Sequence, residues 1–195
     1  MHKHNFLLSL ITVMTILASA EAKGERVQGN EGEMPRLVVN ILIDQLRSDY
    51  LETFSPLYVE DGFQQLLRDG CYYRQAVYSV VPRDRAVGTA TLATGTTPSN
   101  HGIVGERFLH RETLRPTVAV EDATVQGRGT TDRFSPASLL VTTLADELKL
   151  ATGGHAYVVS IAPQATMAIL SGGHAADQAV WIDDRNGQWV TSSYY

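Results

Sequence analysis

The chain has 195 residues, 44% of them hydrophobic and 19% charged, a balance that supports a buried core and excludes a disordered chain or a long coiled coil. Sixteen Lys plus Arg against twenty-one Asp plus Glu leave a net charge of -5, which speaks against a nucleic-acid polymer as partner, because phosphate backbones reward a basic surface. The single cysteine, Cys71, can form neither an internal disulfide nor a thiolate zinc site, so a metal here must be held by Asp, Glu, His or hydroxyl oxygens. Its simplest reading is a small buried hydrophobe.

Residues 1–22 read as a signal peptide, with a weakly basic start at Met1-His2-Lys3-His4, an apolar run over 6–18 and the small-x-small pattern Ala18-Ser19-Ala20. That run of about 13 residues falls short of the roughly 20 that span a bilayer, so no transmembrane anchor is expected after cleavage, and the mature protein is expected to be periplasmic or secreted in a bacterium. Residues 23–34, rich in Gly, Glu and Asn, form a flexible lead-in to a folded portion over 35–195.

The near-continuous β-prone run over 37–43 predicts a strand buried on both faces of a parallel sheet, ending at Asp44. Val59, Phe63, Leu66 and Leu67 predict a helix stopped at Gly70, residues 71–80 a second strand, and 85–94 a short helix of small residues closed by Gly95. Residues 107–133 have little periodicity and read as a long excursion or small insertion. Ser135 and Pro136 supply an N-cap and first-turn proline for a helix carrying Leu140, Leu144 and Leu148 to Gly153-Gly154. A buried strand over 156–161, a helix over 164–170 and a Gly172-Gly173-His174 turn follow. The tail predicts a hairpin with a tight Asn186-Gly187 turn and Trp181 paired with Trp189 across it. Strands alternating with helices imply an α/β fold, a mainly parallel sheet flanked by helices.

No G-x-G-x-x-G, Walker loop, G-x-S-x-G elbow or H-E-x-x-H helix is present. Ligands of open α/β sheets collect at the carboxyl ends of strands, so Asp44 is placed either to hold a hard cation or to cap the turn beginning at Gln45. His101 and His174, beside glycines, read as turn or packing residues, His110 and His155 as exposed, and Asp183-Asp184 as solvated.

The ordered string Leu42-Ile43-Asp44-Gln45-Leu46-Arg47-Ser48-Asp49-Tyr50, Gly62-Phe63, Leu66-Leu67, Gly70, Val81-Pro82, Thr94-Gly95, Pro98 and His101-Gly102-Ile103 resembles the alkaline phosphatase superfamily. Within it, the chain is similar to the bacterial monoesterase branch related to type I phosphodiesterases and nucleotide pyrophosphatases, over the N-terminal part only. The similarity continues through Ser135-Pro136, Leu150-Ala151-Thr152 and Gly173-His174 to the terminal Thr191-Ser192-Ser193-Tyr194-Tyr195.

The resemblance implies an apparently incomplete alkaline-phosphatase-like domain, exported, and a zinc-dependent hydrolysis of phosphomonoesters or phosphodiesters with a phosphorylated small molecule as substrate. Two zinc ions activate a hydroxyl nucleophile and clamp the phosphoryl group in that chemistry. It makes Asp44 a zinc ligand, the remaining ligands belonging to later Asp and His clusters outside this chain. The nucleophile, a threonine in the family, falls on Arg85, and the phosphate contacts fall on Glu106, Gln164 and Thr166. Arginine has no acceptor lone pair for attack or ligation, and the nearest hydroxyls, Thr89 and Thr91, lie at least a helical turn away. No intact nucleophile is therefore expected, and loss of the ancestral reaction. The competing readings are a non-catalytic ligand- or partner-binding relative and a truncated fragment.

Overall fold

Asp84 opens the helix around which the core is built. Its carboxylate accepts from the Val87 amide at 3.1 Å, and Gly95, in the left-handed conformation at φ 67°, closes that helix with its N–H on the Thr91 carbonyl. The computed structural model describes residues 35–78, 80, 81 and 84–195. The expected signal peptide and lead-in, 1–22 and 23–34, and Pro82 of the Val81-Pro82 motif lie outside the described residues.

The chain divides into two units, residues 1–41 and 42–195. In the first, residues 35–41 carry no regular structure. In the second, the helices are α1 (Ser48–Thr53), α2 (Phe63–Asp69), α3 (Arg85–Thr94), α4 (Pro98–His101), α5 (Leu144–Ala151) and α6 (Ala165–Gly172). The strands are β1 (Arg107–His110), β2 (Arg115–Val118), β3 (Gly127–Arg128), β4 (Val159–Ile161), β5 (Gln178–Ile182) and β6 (Trp189–Ser192). β1 and β2 form an antiparallel hairpin with Arg107 opposite Val118. The larger sheet runs β3-β6-β5-β4, with β4 parallel to β5 and the other two ladders antiparallel. The fold is α/β, with the parallel crossover β4-α6-β5 at its centre.

α6 is apolar nearly all round and is covered accordingly: Ala168, Ile169 and Leu170 are fully buried. Ala86 and Ala90 of α3, Ala179 and Trp181 of β5, and Val190 of β6 join them in one core. The small residues of α3 let it lie close on α6. Trp181 finds its aromatic neighbour in Phe134, with ring centroids 6.3 Å apart.

Several sequence expectations are corrected. Residues 37–43 form no ladder among the described residues, and Leu37, Val38, Val39, Ile41 and Ile43 are exposed, because a strand buried on both faces needs neighbours on both edges. Residues 71–78, 80 and 81 are likewise without ladder bonds, and Cys71 is exposed rather than buried. The helix expected from Ser135 begins only at Leu144. Its cap is Thr143, which exchanges capping-box bonds with Asp146, while the Ser135 hydroxyl is spent on Asp122 at 2.5 Å. Leu140 is therefore an exposed loop residue.

The tail hairpin exists, but its turn spans residues 183–188 with Gly187 at φ 69°. Trp181 faces Val190 and Ile182 faces Trp189, so the two tryptophans are not a cross-strand pair; Trp189 is exposed. The excursion over 107–133 holds the β1-β2 hairpin and β3.

Candidate functional site

Turn residues 44–45, the first turn of α3 and Met167 of α6 meet at one cleft of about 520 Å³, which Tyr78, Asp84, Arg85 and Glu106 also line. Arg85 is the first residue of α3. Its Nε donates to Asp44 Oδ2 at 2.7 Å, and its Nη1 donates to Gln164 Oε1, the side chain of the α6 N-cap residue. Both ion-pair partners are partly open to solvent, Arg85 at 33% and Asp44 at 37% side-chain exposure, so the pair acts through geometry more than through raw Coulomb attraction.

Asp44 makes no helix cap: α1 starts at Ser48, its N-cap residue is Arg47, and no side chain caps it. Asp44 instead sits in a turn with Gln45, which adopts φ 60°, a conformation L residues visit rarely. Asp84 ties the cleft together. One of its oxygens caps α3 and the other accepts from the Glu106 amide at 2.8 Å, fixing the Glu106 backbone beside Arg85. The sequence signal available for Asp84 is its place immediately before a helical run.

Of the positions implied by resemblance, Asp44, Arg85 and Gln164 are brought into direct contact, and Glu106 lines the same cleft. Thr166 is buried in α6 and is not part of the lining. Thr89 lines the cleft but is 4% exposed, and the Thr91 hydroxyl is engaged with His101 Nε2 at 3.2 Å. His101 is a packing residue, as expected: it is fully buried, its Nδ1 accepts from the Ile103 amide at 3.1 Å, and burial holds its pKa below the usual histidine value. His174 reaches the Leu139 carbonyl at 3.0 Å and lies 3.5 Å from Asp146.

Asp183 is not solvated. It is buried, and hydrogen bonds from Arg185 first, then Thr130, hold its carboxyl well below the usual range.

A zinc pair does not fit these side chains. Asp44 Oδ2 already accepts from a guanidinium, and among the described residues no three His, Cys, Asp or Glu side chains are grouped to hold a metal. Across the lining, three carboxylates (Asp44, Asp84, Glu106) face the one arginine, Arg85, a balance unfavourable to a phosphate dianion.

The cleft opens at the N-terminal end of α3, beside the turn at residues 44–45, in an α/β core. The chain belongs to the type I phosphodiesterase / nucleotide pyrophosphatase family, which it matches over residues 38–188, within the alkaline phosphatase superfamily. It is 37% identical over 195 residues to a calcium-transporting ATPase of Myroides odoratus, covering 98% of this chain and 35% of that protein. It is 34% identical to alkaline phosphatase PhoV of Synechococcus elongatus, covering 96% of this chain and 36% of that one. The crystal structure of wild-type alkaline phosphatase PafA superposes with a TM-score of 0.81 at 36% identity, over 85% of this chain and 33% of that chain. The chain thus spans about a third of the length of the curated relatives it matches, and its fold is part of that domain. No helix of the described residues is long and apolar enough to cross a membrane.

Proposed function

We propose that this chain is an exported, non-hydrolytic relative of the alkaline phosphatases. The observation that carries the reading is Arg85: the first residue of α3, facing the cleft, is a side chain with no lone pair with which to attack phosphorus. The family similarity supports the phosphohydrolase ancestry, and the carboxylate surplus in the cleft supports loss of the phosphorylated substrate. Export rests on the order of charged, apolar and small residues over 1–22. Removing a nucleophile lowers enzymatic rates by several powers of ten, to about the level that binding and electrostatics alone supply.

The test is hydrolysis of an aryl phosphate by the purified mature chain, with and without added zinc, against an Asp44→Ala control. The expected result is equal background in all arms. Zinc-dependent turnover that disappears in Asp44→Ala overturns the reading.

A further inference from the structure

Three parts of the chain that are remote in sequence converge on one guanidinium. Asp44 lies 41 residues before Arg85, and Gln164 lies 79 residues after it. Arg85 reaches them with two different N–H groups of one rigid plane, Nε toward the carboxylate and Nη1 toward the amide oxygen. The chemistry at both ends suits it: a carboxylate accepts a charge-assisted bond, and Gln164 presents a carbonyl oxygen where a cationic side chain would repel Arg85. Gln164 is also the residue that enters α6, the most deeply buried helix, so the bond fixes the approach of α6 to the start of α3.

We propose that Arg85 is a resident counter-ion, clamping Asp44 and Gln164 in the place where the resemblance puts a divalent cation. The inference rests on the non-hydrolytic reading and deepens it: the substitutions at 85 and 164 form one interaction rather than two independent losses. A cation at Asp44 must share the carboxylate with a 2.7 Å charge-assisted bond and sit against a fixed positive charge. Arg85 is a positioning residue in this account, since it acts by holding two other segments.

The test uses the full mature chain labelled with ¹⁵N-arginine. The Arg85 Nε–H resonance is expected to exchange slowly with solvent, to stay in place when zinc sulfate is added, and to shift in both Asp44→Asn and Gln164→Leu. Melting of the unsubstituted chain is expected to change by less than about 1 °C in excess zinc, because a ligand stabilises only a state that binds it. The zinc arms need no variant, so they hold even if a substituted chain fails to fold. A zinc-induced rise of about 5 °C or more that is lost in Asp44→Asn overturns the clamp, as does an Arg85 signal that exchanges freely in the unsubstituted chain. Turnover of aryl phosphate with the Arg85 signal still protected would instead defeat the functional reading and leave the clamp standing.

Discussion

Residues 84–195 and residues 35–81 behave as two different materials. Every buried hydrophobic side chain among the described residues lies between Ala86 and Val190, whereas Leu37, Val39, Ile41, Leu57, Leu66 and Val77 are all exposed. The polar bonds divide in the same way. In the early stretch the ion pairs are local and open to solvent, Arg47 with Asp49 and Arg68 with Asp69, and such pairs contribute about 0–1 kcal/mol. In the later one they also join distant segments: Lys149 holds Asp177 at 2.6 Å, and Arg185 ties the hairpin loop to Asp132. Burial is a property of available partners, and an apolar run without a neighbouring strand gains none of it. The Arg85 to Asp44 bond links the two stretches.

The largest way to break this contrast is to remove a core side chain. Trp181 is 2% exposed and packs on Phe134, so Trp181→Ala is expected to lose about 3–5 kcal/mol of stability, through lost burial and the cavity left behind. Leu66→Ala, at a side chain 65% exposed, is expected to lose under about 1 kcal/mol. Urea unfolding of both variants at constant m-value checks the pair. Similar losses would mean that the early stretch contributes a core of its own.

Next in size is Gly173→Ala. Gly173 adopts φ 74°, and a Cβ there would collide with Thr143 Oγ1 and the Asp146 carboxylate, which cap α5. Strain and collision together are expected to cost about 2 kcal/mol, read as a fall in the urea midpoint. Gly62→Ala, at φ 69° with open space around its Cβ, carries conformational strain without a collision and is expected to cost less than Gly173→Ala.

Acid sensitivity also belongs to the later stretch. Burial of Asp146 works to raise its pKa, but amide donation from Thr143, Ala175 and His174 outweighs it and leaves the carboxyl below its ordinary 3.8. Asp122, chiefly through the Ser135 hydroxyl, and Asp177, chiefly through Lys149, are lowered as well. The folded state therefore binds protons less readily than the unfolded one. Its extra stability is present above the unfolded pKa, near 3.8, and is lost as pH falls through the lower folded values. Asp146→Asn is expected to lose about 1–2 kcal/mol at pH 7 and to flatten the stability profile below pH 4, measured by urea unfolding across pH.

What was legible in the sequence follows from how local each signal is. α3 could be placed to the residue because Gly95 ends it nearby, and α6 to within two residues because its apolar composition is continuous. The α5 start was misplaced because two capping signals compete, and only the fold decides that Ser135 bonds Asp122 while Thr143 caps the helix. Asp183 looked solvated beside a turn, yet the Thr130 and Thr131 hydroxyls that complete its Arg185 partner are more than fifty residues away. In the site, the resemblance points to Asp44, Arg85, Glu106 and Gln164, and Arg85 bonds to both Asp44 and Gln164. That a guanidinium spans two of the others depends on contacts no spacing rule encodes, and the burial of Thr166 was invisible for the same reason.

The smallest expected effect is the sharpest test of the contrast. Val39 stands in the middle of the run that predicts a doubly buried strand, and it is 67% exposed without ladder bonds among the described residues. Val→Thr keeps the β-branched shape and replaces one methyl by a hydroxyl, so backbone preference is nearly constant and the readout is burial alone. In a packed strand the buried hydroxyl would lack a partner and cost about 1–3 kcal/mol. Where Val39 sits in this chain, the hydroxyl meets water and the substitution is expected to change stability by less than about 0.5 kcal/mol. Urea unfolding of Val39→Thr beside Val190→Thr, whose valine is 4% exposed in β6, sets the exposed and buried cases on one scale. A loss at Val39 as large as that at Val190 would place the early run inside a core and end the division between the two stretches.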